Sequence, residues 1–551
     1  MKSRFSELSK LFAVFLAVLT ILAFGVGVAA AEGEDVLKSG YEKAQSHYRG
    51  TAGEATVLKG YWQVFGAYAT LGDAIQKGGY VYDMDGENEN HVGARVLALL
   101  MMGEDPYHYN GCDYVARVKD SGLRNGFAIP VFNFMALQAA GAEITADEEK
   151  AYVDYCLSQM TGKGLAQGPD IGGWAVAALY HYMEHPAYRD AIAAAVEEYL
   201  DAMGESMVGA SMGSATISMG CSVTALTALC AAGREGCDPG ADSPWVEQKP
   251  LEKMYQALLS SEGTSFESYN HQYYMEFADL YHVLYEDGVP GWSRCRLDGA
   301  DMAALIREAK AFLKRTDENS LLLMPGVKRY LAAAEALSAE ELASPCPQWG
   351  ALYFDLKDAM VLKNDPSAFA DVGQGWYREY VDKVLAHGVM NGTDPGVKIF
   401  EPETTVTRAM VMQILYNMEG HPAYSTRSRD NPFTDVKAKD WYGPAVLWAY
   451  QNGITKGTTA TTFAADENVT RQQLAAFMYR YLTTCKGETL SAEGAAPFRD
   501  DGQIDGSYAK VPVYALVNRG ILNGMGDQCF CPLAFAKRSE LAKIIAVSFL
   551  E

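Results

Sequence analysis

The last ~180 residues of this 551-residue chain repeat with a period near 65, which forces the chain to build several copies of one small unit instead of a single continuous core. Phe369-Ala-Asp371, Phe433-Thr-Asp435 and Phe498-Arg-Asp500 open the three units, 64 and 65 residues apart. Trp376-Tyr377 and Trp441-Tyr442 follow in the first two, with Ser507-Tyr508 in the third. Each then runs into an apolar helical face that stops at a glycine, in Gly388-Val-Met-Asn-Gly392, Gly453-Ile-Thr-Lys-Gly457 and Gly520-Ile-Leu-Asn-Gly524. The first glycine suits a left-handed helix end and the second a tight turn.

A loop leads from that turn to Phe400, Phe463 and Phe530, each eight residues before an arginine: Arg408, Arg471 and Arg538. A spacing kept three times predicts one fixed loop geometry. Thr407 and Thr470 are good N-caps for second helices, whose apolar faces carry Ile414-Leu415, Phe477-Met478 and Ile544-Ile545. Every unit therefore reads as helix, loop, helix.

The combination F-x-D, W-Y, G-[VI]-x-x-G, F-x-P and T-R-A-E over residues 369–550 resembles the S-layer homology family. That resemblance implies a pseudo-threefold helical bundle whose inter-repeat grooves bind the secondary polysaccharide of Gram-positive peptidoglycan, often through pyruvylated sugars. A pyruvate ketal carries a carboxylate, and the planar guanidinium fork matches a carboxylate, so Arg408, Arg471 and Arg538 are its natural partners. Trp376, Trp441 and Tyr508 can pack on a sugar ring, and Gly392, Gly457 and Gly524 let backbone approach the ligand. Asp371, Asp435 and Asp500 complete the candidate set. In the plainer reading the arginines cap loops or pair with those aspartates as bundle glue. The pattern is broken at Met410 and Gln473, where only the third unit has Glu540, at Ala465 in place of proline, and at Ser507 in place of tryptophan. By these departures the first two sites keep the family pattern better than the third.

Ahead of the repeats a second regularity appears. Gly60-Tyr-Trp62, Gly93-Ala-Arg95, Gly126-Phe-Ala128, Gly173-Trp-Ala175, Gly220-Cys-Ser222 and Ser268-Tyr-Asn270 each start an apolar segment, at intervals of 33, 33, 47, 47 and 48 residues. Amphipathic stretches such as Glu148–Met160, Ala187–Met203 and Leu251–Leu259 lie between them, as outer helices would. Segments apolar nearly all round, such as Ala175–Leu179 and Val223–Leu229, suit the inside of a closed ring. Six such hairpins predict an α6/α6 toroid, which resembles the prenyltransferase and squalene-cyclase type of repeat also used by cobalamin carriers. The chain is expected to be all-α.

That fold hosts enzymes and binding proteins alike, so only residues can decide. Asp83-Met-Asp85-Gly-Glu87 is not the D-x-D-D acid of a protonating cyclase, and no Asp, Cys and His set has the spacing of a catalytic zinc. The run from Asp83 to Glu89 stops short of a calcium loop. The densest candidate cluster is Tyr269, His271, Tyr273, Tyr274 and Glu276, with Asp279 and His282 beyond it; aromatics with polar groups suit a glycan or a planar ligand. Trp62, Phe127 and Trp174 are expected near the same mouth. Glu276 and His271 can serve as acid and base only if they face one cavity. No catalytic residue, metal or cofactor is assigned.

At the N-terminus, Lys2, Arg4 and Lys10 precede the apolar run Leu11–Val28 and Ala29-Ala30-Ala31, a signal-peptide pattern with cleavage expected after Ala31. No other run is long enough to span a membrane. Cleavage removes three basic residues and one acidic one, taking the net charge from −23 to −25. So acidic a surface repels phosphate backbones and anionic lipid, which excludes nucleic acid as an expected partner. The 10 cysteines are scattered without a disulfide framework, and Cys529-Phe-Cys531 lacks the second pair that a zinc site needs.

The expected organisation is a signal peptide over 1–31, a toroid over 32–340, a Pro-containing linker over 341–368, and repeats at 369–425, 431–487 and 495–551. The expected function is a secreted surface protein, fixed non-covalently to wall polysaccharide, whose toroid presents an unknown ligand or partner site. The alternative is a wall-anchored hydrolase or lyase with its site in the toroid mouth.

Overall fold

A computed structural model describes residues 29–49, 55–77, 79–84, 87, 91–123, 129–162, 169–208, 215–234, 237, 249–261, 270–393, 397–419, 422, 424–425, 427 and 430–550. The signal-peptide residues 1–28 and the candidates Tyr269 and Phe127 lie outside them. Among the described residues no helix is long and apolar enough to cross a membrane. The chain divides into two compact units: residues 1–106, 114–298 and 343–350 form the first, and residues 107–113, 299–342 and 351–551 the second.

The first unit is built on α1 (Ala29–Tyr48), α2 (Tyr61–Leu71), α3 (Val92–Met101), α4 (Tyr114–Ser121), α5 (Ile129–Ala140), α6 (Ala146–Met160), α7 (Pro169–Ala178), α8 (Arg189–Val208), α9 (Ala215–Ala231), α10 (Pro250–Ser261), α11 (Asn270–Tyr285) and the short α12 (Gly291–Arg294). The six segments expected on the inside are α2, α3, α5, α7, α9 and α11. Each packs on the next in that order, and α11 packs back on α2. Glycine makes the close approaches possible. A Cβ on Gly93 would stand 2.6 Å from the Phe132 carbonyl of α5, and one on Gly173 would stand 2.0 Å from the Cys221 carbonyl of α9. Helices α1, α4, α6, α8 and α10 pack against members of this series. Thr145 caps α6 through a reciprocal capping box with Glu148.

Between α2 and α3 the described residues hold no α-helix but a 3-10 segment (Gly72–Lys77) and β2 (Tyr80–Asp83), which pairs in parallel with β1 (Thr56–Lys59) from just before α2, with Val57 opposite Val81. Two four-residue strands are too short to break the helical periodicity of the neighbouring segments, which is why the sequence reads as all-α.

The second unit begins with α13 (Gly299–Phe312), α14 (Glu318–Glu335) and α15 (Ala339–Leu342), and α16 (Gly350–Ala359) follows the crossing segment 343–350. Pro345 and Pro347 read as spacer, but Cys346, Trp349, Phe354 and Leu356 are buried, so the segment is packed structure. The repeats supply α17 (Arg378–Ala386), α18 (Arg408–Met418), α19 (Gly443–Gln451), α20 (Arg471–Thr484), α21 (Lys510–Asn518) and α22 (Arg538–Phe549). Their pairing crosses repeat boundaries: α18 packs on α19, α20 on α21, and α22 on α17. One continuous apolar core joins all three repeats, with Phe400, Phe463 and Phe530 fully buried within it.

Candidate functional site

The residues just before α18, α20 and α22 meet in a ring of backbone hydrogen bonds. Val406 N–H donates to the Ala536 carbonyl, Ala536 N–H to Val469, and Val469 N–H to Val406, each at 2.9 Å. The next residues continue outward, with Arg408 N–H donating to Glu467, Arg471 N–H to Ala534 and Arg538 N–H to Thr404. Each arginine is thereby delivered onto the loop of the following repeat.

All three guanidiniums are buried, at 4% exposure for Arg408, 7% for Arg471 and 5% for Arg538. Arg408 Nε donates to the Phe463 carbonyl at 2.8 Å, Arg471 Nε to Phe530 at 2.9 Å and Arg538 Nε to Phe400 at 2.7 Å. Each carbon Cζ also lies 4.6–5.0 Å from the centre of the same phenylalanine ring. Burial pulls the Arg538 guanidinium down to about 10 and lowers Arg408 as well. Asp371, Asp435 and Asp500 pair with the other side of that loop. Asp371 accepts from the Phe400 and Glu401 N–H groups, Asp435 from Phe463 and Ala464, and Asp500 from Phe530 and Cys531, over 2.6–3.2 Å. Burial pushes the Asp435 carboxyl up, but the two N–H donors outweigh it and hold the carboxyl below its ordinary range. Aspartate and arginine thus grip one phenylalanine peptide from its two ends: its N–H within the repeat, its carbonyl from the repeat before. The plainer reading of glue is present, but through backbone and not through Arg–Asp pairs.

The glycines likewise serve internal packing. Gly388, Gly453 and Gly520 take φ of 69°, 73° and 81° at their helix ends. A Cβ at Gly392 would stand 2.8 Å from the Ile399 carbonyl, and one at Gly524 2.8 Å from that of Cys529. The turns differ at Gly457, whose φ of 81° is left-handed. Arg471 Nη2 donates to the Asn523 carbonyl at 2.9 Å and Arg538 Nη2 to Asn391 at 2.8 Å, whereas Arg408 Nη2 is buried with no partner.

What remains open to a ligand is aromatic. Trp376 is 57% exposed and Trp441 61%, while Tyr508 is half-buried. Trp376 borders a cleft of about 300 Å³ whose wall draws on all three repeats: Trp376 from the first, Arg471 from the second, and Asn523, Gly524, Glu540 and Lys543 from the third. This cleft therefore does not belong to a single repeat. The tryptophan of the first unit and the glutamate of the third share one cleft. Glu540 ion-pairs with Arg471 at 2.8 Å. Lys543 stands 5.9 Å from the Trp376 ring centre and 5.8 Å from that of Tyr380. It escaped the sequence reading because it lies outside the motif, although its offset of five from Arg538 was available.

In the first unit the candidates separate. His271 Nδ1 meets the Tyr48 hydroxyl on α1 at 2.7 Å, and burial drives its pKa down to about 4. Glu276, from the same helix, is wholly buried and accepts from the Thr224 hydroxyl on α9; burial raises its pKa well above the usual range. The two therefore do not share a partner. Asp279 is buried too, accepts from Gly291 N–H at 2.7 Å, and is pushed by burial up to about 7. Tyr273 is buried, and Trp62 and Trp174 meet at 5.8 Å between ring centres, joined by Phe132. Glu87, in the run that stops short of a calcium loop, accepts from Arg95 Nε at 2.8 Å and from the Tyr82 hydroxyl. Among the described residues no group of three His, Cys, Asp or Glu is placed to hold a metal.

The S-layer homology domain family matches residues 368–409 and 432–475, that is, parts of the first two repeats. Over 205 residues the chain is 32% identical to the exoglucanase XynX of Acetivibrio thermocellus, covering 36% of this chain and 17% of that one. It is 26% identical over 148 residues to the cellulosome-anchoring protein of the same organism, covering 27% of this chain and 32% of that one. It is 29% identical over 150 residues to the surface-layer 125 kDa protein of Lysinibacillus sphaericus, covering 27% of this chain and 12% of that one. The chain thus spans less than a third of the length of each of these relatives. The first two repeats thus match S-layer homology domains, and the third shares their loop geometry.

Proposed function

We propose that this chain is a secreted protein held non-covalently on a bacterial cell wall, with its three repeats forming a pseudo-threefold bundle that grips peptidoglycan-linked polysaccharide. The observation that carries the reading is the cleft in which an exposed indole, Trp376, stands beside a lysine on a wall assembled from three repeats. An indole face covers the apolar side of a sugar ring, and repeated weak grooves add avidity. Matches of 148–205 residues recur in relatives named as a surface-layer protein, a cellulosome-anchoring protein and an exoglucanase, names that share no one catalytic activity, which supports attachment as the role of the matched part. In this reading Arg408, Arg471 and Arg538 build the grooves from behind, and the exposed aromatics touch the glycan.

The first unit, by its closed order of inner helices, reads as an α6/α6 toroid that presents a ligand or partner surface. A glycan hydrolase there would need two carboxylates facing each other across an open mouth. Glu276 and Asp279 are instead buried on one helix, which favours binding over catalysis. The full chain is expected to sediment with polysaccharide-bearing wall sacculi, and to stay in solution once the polysaccharide has been stripped. Equal sedimentation with stripped sacculi would overturn the anchoring assignment.

A further inference from the structure

We infer that Cys230 and Cys237 of the first unit join in a disulfide, closing a loop of eight residues, 230 to 237, over the end of α9. The inference goes beyond the anchoring reading and takes from it only that the chain works outside the cell, where thiols meet oxidants.

The fold brings this pair together where spacing alone does not. Helix α9 ends at Ala231, and Gly233 turns the chain at a φ of 74°. Gly233 N–H donates to the Cys230 carbonyl at 2.9 Å and Arg234 N–H to that of Leu229 at 3.0 Å, the two bonds of a Schellman end. Arg234 is also held by an ion pair with Glu197 on α8. The chain therefore doubles back on the last turn of α9, where Cys230 sits half-buried. Cys237 returns into the core at 3% exposure.

Cys230 Sγ donates to the Cys237 carbonyl at 2.7 Å. A carbonyl oxygen lies about 2.4 Å from its own Cα, so that sulfur is at most about 5 Å from the Cys237 Cα. A disulfide sets this separation at about 4 Å, so turning the two side chains and moving the loop by about 1 Å closes the bond. Cys221 stands nine residues back on the same helix, about 14 Å away along its axis, and is out of reach of Cys230.

The more accessible thiol reacts first. The Cys230 thiolate attacks glutathione disulfide, forms a mixed disulfide and releases one glutathione thiol. The Cys237 thiolate then displaces the second. Two S–H bonds are lost and one S–S bond forms, while two electrons and two protons leave on glutathione as its two thiols.

The test equilibrates the full chain with reduced and oxidised glutathione, quenches with acid, alkylates and maps the tryptic peptides. Cleavage after Arg234 separates the two cysteines, so the disulfide is expected as two linked peptides that part on reduction. Cys237→Ser should leave Cys230 carrying glutathione. Reduction should lower the unfolding temperature of the wild type by about 5 °C more than that of Cys230→Ser. Wild-type chain in which both residues are alkylated in the oxidising buffer, or in which Cys230 keeps a glutathione, overturns the inference. Sedimentation with sacculi separates the two claims. A chain that sediments with both thiols still reduced defeats this inference alone, whereas one that forms the disulfide and fails to sediment defeats only the anchoring reading.

Discussion

Arg471 Nη1 lies 2.8 Å from Glu540 Oε1, and both side chains are about nine-tenths buried. The pair joins the second repeat to the third across a boundary that the other two repeats close without a carboxylate, since Met410 and Gln473 occupy the matching positions. Removing one partner of such a pair leaves an uncompensated charge in a low-dielectric setting, which costs about 3–5 kcal/mol. Glu540→Ala should therefore destabilise the second unit by that amount in denaturant unfolding. Glu540→Gln, which keeps an acceptor for Arg471, should cost less than half as much. Equal losses in the two variants would show that shape and not charge holds the contact.

The period near 65 and the recurring Phe-to-Arg interval make the helix-loop-helix units legible in the sequence. The regularly spaced apolar segments of the first unit, five led by glycine and one by Ser268, likewise each fall on a helix. The direction of the arginines is not legible there. Their partners, the Phe463, Phe530 and Phe400 carbonyls, lie 55, 59 and 138 residues away, and no local pattern says whether a guanidinium turns to solvent or to the next repeat's backbone. The matching pull from Asp371, Asp435 and Asp500 is visible as F-x-D but not as an acceptor of loop N–H groups. His271 and Glu276 stand out by residue type. Five positions apart on one helix they lie about 140° around its axis, so each finds its partner on a different neighbour.

The buried carboxyl of Asp279 gives the first unit a pH dependence of definite sign. Its folded pKa is about 7, above the ordinary value of 3.8, so the folded chain holds a proton that the unfolded chain releases between those values. The stabilisation is complete below pH 4, falls as pH rises, and is lost by about pH 7, a change of roughly 4 kcal/mol. Glu276, raised in the same direction, adds to the slope. Asp279→Asn should flatten the dependence of the unfolding temperature between pH 5 and 7.5. A slope equal to that of wild type would place the titration elsewhere.

The closeness of α7 and α9 rests on an absent side chain. Gly173→Ala would put a methyl 2.0 Å from the Cys221 carbonyl, and that atom is backbone, so it can yield only if α7 and α9 move apart. Overpacking of this kind costs about 1–3 kcal/mol or more. Gly233→Ala, whose Cβ meets nothing within 4 Å but whose φ is 74°, pays only for backbone strain, of order 1 kcal/mol. Thermal unfolding should rank Gly173→Ala as the more damaging. The reverse order would mean that α7 and α9 are not in close contact in solution.

Arg408 lacks the Nη2 hydrogen bond that both of its counterparts make. Arg538 donates from Nε to Phe400 and from Nη2 to Asn391, so replacing it by methionine strands two carbonyls of the first repeat. Arg408 donates from Nε to Phe463 alone among these loop carbonyls, and its buried Nη2 has no partner, because the turn at Gly457 runs left-handed where Gly392 and Gly524 do not. A buried donor left unmade carries a desolvation cost of about 1–3 kcal/mol, and methionine removes it while keeping the stem packed on Phe463 and Phe477. Arg408→Met should therefore destabilise the second unit by at least 1 kcal/mol less than Arg538→Met, about the worth of one hydrogen bond. Chemical denaturation of the two variants reads the difference directly. Equal losses would mean that the Arg408 donor is satisfied in solution, and that the turn at Gly457 there adopts the conformation of its two counterparts.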